Sequence, residues 1–408
     1  MANLGYACRP VKLTRIDTIH LGEDSAMPAL LLVRLHTDEG LVGEGETYYT
    51  PAATRAFIHE LAAPLLLGHD PLAIEGHWRS LYEMCARFGA KGNEMRALSA
   101  LDVGLWDILG QAAGLPVYQL LGGACRDRIK TYNTCAGPLY GRTLRAGYGI
   151  TDAAGTLDDL VAFKTDAGEL ARDLLSEGIT GMKIWPFDVF AQEKGGVGIE
   201  YRDLQAGLEP VRKIREAVGR EMEIMIEGHG FWSLPAAVQI ARALEEFGPA
   251  WVEDLIRADD PTALAALCRE TSIPVLASEY LMTRWEYRRV LDVRGADIVM
   301  IDPVWCGGIT EARKIATMAD TYAVPVTMHD CTGPHSLFAG IHLSINAPNA
   351  LYQETVRAYL RTFYADLVTN LPEIVDGHIL APTGPGLGTR LQPDVPTRRG
   401  ATVVTSEL

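Results

Sequence analysis

Much is missing from this chain of 408 residues. It has no run approaching the roughly 18 apolar residues that cross a membrane. Its start, MANLGYACRP, lacks the apolar region of a secretory signal. The seven cysteines are Cys8, Cys85, Cys125, Cys135, Cys268, Cys306 and Cys331. Odd in number, scattered and without a CxxC pair, they argue against a disulfide framework or structural zinc and for a reducing cytoplasm. Basic residues are also few: 37 Lys and Arg against 52 Asp and Glu leave a net charge of −15, with no concentrated basic stretch. Neither nucleic acid nor an anionic membrane is therefore an expected partner. An anionic substrate would need local positive charge, and a divalent cation is one source of it. Low-complexity segments are absent as well.

What is present is rhythm. From about residue 130, short β-rich runs recur: KTYNTC (130–135), GMKIW (181–185), EIMIE (223–227), AWVE (250–253), PVLASE (274–279), ADIVMID (296–302), VPVTMH (324–329) and ALYQE (350–354). Helical patterns fill most of the gaps, including Leu204–Val218, Pro235–Phe247, Pro261–Thr271, Arg284–Asp292 and Ile309–Tyr322. Prolines 235 and 261 stand where a first helical turn accepts them. Alternating strands and helices predict parallel βαβ units, and eight such strands predict a closed barrel. The first 120 or so residues differ. VKLTRIDTIHL and ALLLVRLHTDEGLVGEGET read as a hairpin turned at DEG, followed by helices at Thr54–Leu67, Leu72–Cys85 and Glu94–Ala113. A Gly/Thr/Asp-rich stretch, Gly137–Thr165, reads as a loop or short helices near the barrel mouth. The expected division is an α+β cap (1–125), a barrel (126–370) and a C-terminal segment (371–408) that folds back on the cap or the barrel rim.

Polar residues fall where the strands end. Glu227, Glu253, Glu279, Asp302, His329 and Glu354 close successive runs, 23 to 27 residues apart, close to one βα repeat. Any single one is most simply a solvated strand end. Six in consecutive register converge on the face where such barrels place their active sites. Three adjacent carboxylates, Glu227, Glu253 and Glu279, suit a hard cation such as Mg2+. Such a cation accepts a substrate carboxylate and stabilises the charge left when an α-proton departs. His329 beside Asp302 forms a carboxylate-imidazole pair suited to general base work. His229, two residues beyond Glu227 in IEGHG, faces the same site as a second acid or base, or else caps a carbonyl or binds metal. Glu354, if protonated, could hydrogen-bond a substrate carboxylate. Lys183 could pair with substrate or with a metal-binding carboxylate.

These segments resemble the mandelate racemase subgroup of the enolase superfamily along nearly the whole chain. The resemblance is carried by ALSALDVGLWDILGQAAGLPVYQLLGG, IEGHG, WVED, LASE, IDPVWCGGITEARKIATMAD, MHDCTGPHSLFAGIHLSINAPN and DGHILAPTGPGLG. It implies a modified TIM barrel, (β/α)7β, under an α+β N-terminal capping domain completed by the C-terminal tail. It also implies Mg2+ on Glu227, Glu253 and Glu279, with His329–Asp302 as the base. Members similar to galactonate and mannonate dehydratases carry a histidine where His229 stands, assigned as the acid that helps a 3-hydroxyl leave. Racemases of the subgroup instead carry Lys-x-Lys at the second strand, where this chain reads Lys183-Ile184-Trp185. Two departures are visible: Glu227 replaces the usual aspartate, and Trp185-Pro186-Phe187 gives an apolar wall.

The expected function is therefore Mg2+-dependent dehydration of an acid sugar to a 2-keto-3-deoxy acid, a hydro-lyase reaction. Expected substrate contacts are Lys183 and Trp185 at the second strand, and His20 and Tyr48, with Tyr49 beside it, from loops around 20–28 and 47–51 that the resemblance implies close over the mouth. The alternatives are epimerisation, racemisation or cycloisomerisation of a sugar acid on the same scaffold, and a metal-binding barrel that has lost catalysis. Related proteins are commonly homo-oligomers, and the same is expected here.

Overall fold

The computed structural model describes residues 11–140 and 158–408. Cys8 and most of the expected 137–165 loop lie outside them. Near the start, alternating apolar residues build β1 (Leu13–His20), β2 (Leu30–Thr37) and β3 (Val42–Tyr48), an antiparallel meander. The DEG turn expected between β2 and β3 is there, with Gly40 at φ +79, a left-handed value that glycine adopts freely. The helix Asn93–Ala113 lies directly against β3. The contact is close enough that a side chain at Gly45 would meet the Ala100 carbonyl at 2.1 Å, so GEGE in β3 is a packing requirement.

The barrel follows: β4 (Arg128–Thr134), β5 (Gly181–Ile184), β6 (Glu223–Glu227), β7 (Trp251–Glu253), β8 (Val275–Ala277), β9 (Ile298–Ile301), β10 (Val326–Met328) and β11 (Ala350–Thr355). Each pairs in parallel with the next, and β11 pairs with β4, where Glu354 stands opposite Tyr132. The sheet is thus closed, with helices outside. Tyr132, Met225, Trp251, Leu276, Met300 and Tyr352 fill the interior as a core of their own. Each such side chain contributes roughly 1.5–3 kcal/mol by leaving water. A packed interior confines chemistry to the C-terminal rim.

The tail divides its attachments. The hairpin of β12 (Ile374–Val375) and β13 (His378–Leu380) pairs antiparallel with β4, while β14 (Thr402–Glu407) pairs with β1 and makes the cap sheet four-stranded. Among the described residues no helix is long and apolar enough to cross a membrane.

A buried ionic strut locks cap to barrel. His335, on the barrel helix Pro334–Asn346, places Nδ1 3.0 Å from Glu46 and Nε2 3.5 Å from Glu44, both on β3. Burial alone would lower the imidazole pKa, but the two carboxylates outweigh it and raise it to about 10. A folded-state pKa above the ordinary 6.5 means that this stabilisation is complete below pH 6.5 and fades as pH rises through 10. His335→Gln is expected to lose about 3 kcal/mol at pH 6 and markedly less near pH 10. Urea unfolding of both proteins at several pH values checks this; stability curves that run parallel would remove the strut.

Candidate active site

The strand ends converge as their spacing requires. Glu227 ends β6, Glu253 ends β7 and the two are direct register partners. Glu279 lies two residues past β8, Asp302 and His329 one past β9 and β10, and Glu354 sits within β11. All six are buried. In an eight-stranded closed sheet β6 and β10 are four strands apart, so the His229 and His329 segments face one another across the mouth.

Lys183, from β5, stands directly among the acids. Its Nζ lies 2.7 Å from Glu354, 2.8 Å from Glu253 and 3.7 Å from Glu227. One ammonium cannot balance these carboxylates. Burial raises the Glu253 pKa far above its usual range, and repulsion from Glu227, Glu354 and Glu279 adds to it despite Lys183. Glu227 is raised for the same first reason. Among the described residues no three acidic or imidazole groups are already drawn to one point as a ready metal site. The donors nevertheless fit a divalent cation in chemistry. They are all oxygen, they carry excess negative charge, and Glu279 Oε2 is buried without a hydrogen-bond partner.

Two imidazole-carboxylate pairs flank these acids. His329 Nδ1 lies 2.7 Å from Asp302 Oδ2. Asp302 is itself held by Val304 N–H at 2.8 Å and by the hydroxyls of Thr332 and Ser336, each at 2.9 Å. The bond through Nδ1 leaves Nε2 turned to Glu279 at 3.5 Å. Burial would lower the His329 pKa, yet Glu279, the Asp302 bond and Glu354 together raise it to about 10. A cation shared with Glu279 would cancel the largest of those rises and free the ring to take a proton.

His229 has its own carboxylate, Asp188, whose Oδ2 is 2.5 Å from Nδ1. Burial lowers its pKa, while Glu227 and Asp188 more than reverse this and raise it to about 9; with a cation on Glu227, Asp188 would still favour a proton on the ring. His229 sits at φ +45, a strained value for histidine that sets its direction. Gly228 permits the turn, since a Cβ there would stand 2.9 Å from Leu255 Cα. Glu227 Oε1 accepts the N–H groups of Gly228 at 2.9 Å and His229 at 2.5 Å, which fixes this longer carboxylate against its own loop.

The chain matches two family models: the mandelate racemase / muconate lactonizing enzyme N-terminal domain over residues 11–122, and the enolase C-terminal domain-like family over 166–395. This chain belongs to the enolase superfamily. An enolase protein from Sargasso Sea environmental sequencing shares 42% identity and superposes with a TM-score of 0.87 over 98% of this chain and 99% of that one. An Agrobacterium tumefaciens enolase of the mandelate racemase subgroup shares 42% identity at a TM-score of 0.85, over 97% and 99%. The D-galactonate dehydratase of Xanthomonas oryzae pv. oryzae (strain PXO99A) is 34% identical over 393 residues, 94% of this chain and 93% of that protein.

In this enolase-superfamily chain the other expected contacts divide. Tyr48 and Tyr49 do line the cavity that holds His229, His329 and Glu279, with Trp305 and Tyr280 beside them. Trp185 packs edge-on against His229 at 5.8 Å and walls it from behind. His20 is elsewhere. Its Nε2 bonds to the Pro28 carbonyl at 2.7 Å, and it borders a separate cavity of about 860 Å³ with Phe363 and Arg398. The side chain ends β1 and turns back on its own loop, so it does not reach the mouth. Glu354 also departs from expectation. Burial pushes its pKa up, but Lys183, His329 and the Thr134 hydroxyl outweigh this and hold it below its usual range, which disfavours the protonated form expected to donate to a substrate carboxylate; the Asp330 N–H also donates to it at 3.0 Å. The mouth cavity is small, about 50 Å³, and open to solvent.

Asp188 was not foreseen. It lies in WPFDVF, 41 residues from His229, and no local pattern marks it. It acts by positioning His229. Asp188→Asn should lower activity about 10- to 100-fold. It should also shift the His229 titration to lower pH, so that activity fades earlier on the alkaline side. NMR titration of the imidazole and a pH-rate profile check both effects; an unmoved His229 pKa would contradict the role.

Proposed function

We propose that this chain is a Mg2+-dependent acid-sugar dehydratase, a hydro-lyase that converts a sugar acid to its 2-keto-3-deoxy product. The observation that carries the reading is the pair of dyads, His329–Asp302 and His229–Asp188, on opposite sides of one carboxylate-rich mouth. A base on one face and a protonated acid on the other suit removal of a proton and a hydroxyl from adjacent carbons. At the second strand Lys183 is engaged by Glu253 and Glu354, and Trp185 stands where a further lysine would be needed for racemisation. The D-galactonate dehydratases at 34% identity support the same class of reaction.

Glu227, Glu253 and Glu279 would hold the cation. When bound, it supplies a partner for the substrate carboxylate and stabilises the second negative charge that grows as the C2 proton leaves. The chain's own residues do the rest. His329 Nε2 takes the proton from C2, while Asp302 holds the Nδ1–H and steadies the imidazolium. His229 delivers its proton to the 3-hydroxyl as the C3–O bond breaks, and water departs. Asp188 keeps that proton on His229 until then. The remaining enol takes a proton at C3 and becomes the keto acid. Lys183 offsets part of the carboxylate charge, and ionised Glu354 anchors Lys183. A screen of mono- and dicarboxylic sugar acids with Mg2+, read by keto-acid formation, tests the reading. Keto product from at least one of them, lost on chelation, is expected; no product across the panel would overturn it.

A further inference from the structure

Tyr140 closes the segment CAGPLY that follows β4, and no step of the reaction above uses it. The segment is held at both ends. Cys135 N–H donates to the Lys183 carbonyl at 3.0 Å, and Tyr140 N–H donates to the Gly137 carbonyl at 3.0 Å. Between them, a side chain at Gly137 would meet Asp158 Oδ1 at 2.3 Å, so the turn lies flush against the start of the helix Asp159–Ser176. Tyr140 is buried, and its ring packs at 5.3 Å on Trp185, the same ring that walls His229.

These contacts bring the Tyr140 hydroxyl to 3.3 Å from His229 Nε2. Asp188 holds Nδ1, so both ring nitrogens of His229 are engaged within the protein. Nε2 is the nitrogen that must release a proton when His229 acts as an acid, because the Nδ1–H stays with Asp188. The proton to be released therefore points at a phenol oxygen. The separation is at the long end for such a bond, as acid-base pairs often are before substrate binds. A hydroxyl that accepts an N–H bond keeps its own O–H to donate onward. Tyr140 borders the cavity that also holds Glu279 and His329, so a ligand placed there lies beside it.

We infer that Tyr140 is a catalytic residue that relays the proton of His229 to the departing hydroxyl. This rests on the dehydration reading above. The C3–O bond breaks with its electron pair on oxygen, and that oxygen takes the phenol proton of Tyr140. In the same step the phenol oxygen takes the proton on His229 Nε2, and water leaves. Tyr140 ends as it began, and His229 ends neutral with its Nδ1–H on Asp188. Receiving one proton as the other goes out spares the buried phenol from standing as an anion.

Tyr140→Phe tests the relay, since it removes the hydroxyl and keeps the ring on Trp185. On the sugar acid that gives keto product with Mg2+, turnover should fall about 10²-fold, while C2 hydrogen exchange in D2O stays within about threefold of the parental rate. The matching 3-deoxy-3-fluoro acid separates proton supply from positioning. Fluoride leaves as a stable anion and asks for no proton, so its release should differ by less than about threefold between Tyr140→Phe and the parent. Loss of C2 exchange along with turnover, or an equal loss with the fluoro acid, would overturn the relay. Tyr140→Leu is read by the same hydroxyl-to-fluoride ratio if Tyr140→Phe does not fold. Keto acid formed by Tyr140→Phe at the parental rate would remove the relay and leave dehydration standing. A parent that exchanges C2 hydrogen but releases no water would remove dehydration, and the relay with it, because no hydroxyl departs.

Discussion

Replacing His329 by asparagine is expected to lower turnover by about 10²- to 10⁴-fold and to abolish exchange of the substrate's C2 hydrogen with solvent. The asparagine amide can still meet Asp302, so the Val304, Thr332 and Ser336 contacts that fix that carboxylate should survive. What disappears is Nε2, the atom that faces Glu279 and the cavity. Loss of both turnover and exchange, with an unchanged thermal transition, is the expected pattern. Full turnover in His329→Asn would remove it as the base.

His229→Asn should separate the two halves of the reaction. Turnover is again expected to fall by about 10²- to 10⁴-fold, because nothing protonates the departing hydroxyl. His329 and Asp302 are untouched across the barrel, so C2 exchange should continue. Substrate recovered from D2O should therefore carry deuterium at C2 with no keto acid formed. A His229→Asn protein that dehydrates at the normal rate would contradict the acid role, and one that also lost exchange would place His229 in proton removal.

The residues that were legible in the sequence are those tied to a period. Glu227, Glu253, Glu279, Asp302, His329 and Glu354 recur at the βα spacing, and the closed sheet carries them to one rim. Helix limits near Asn93–Ala113 and Pro261–Glu270 were legible from apolar pattern and a first-turn proline. Residues placed by long-range packing were not. Asp188 reaches His229 only because the chain after β5 returns to the mouth. The return of the C-terminal segment to the cap was expected, but not that it does so as strand β14 beside β1, nearly the whole chain away, with the Thr405–Asp17 bond at 2.7 Å. His20 was misdirected for a related reason: sequence does not show which way a side chain at a loop edge turns. The charge state of Glu354 likewise depends on Lys183, which arrives from a different strand.

The Lys183 ammonium among three carboxylates and the two histidine dyads describe one machine, and what defines it is loss of water rather than movement of a proton alone. Proton NMR of the reaction in D2O with Mg2+ measures that directly, on whichever sugar acid the screen selects. Dehydration predicts a keto acid bearing one deuterium at C3 and no hydroxyl there. A product that keeps every hydroxyl and carries deuterium at C2 would contradict it and make the enzyme an isomerase.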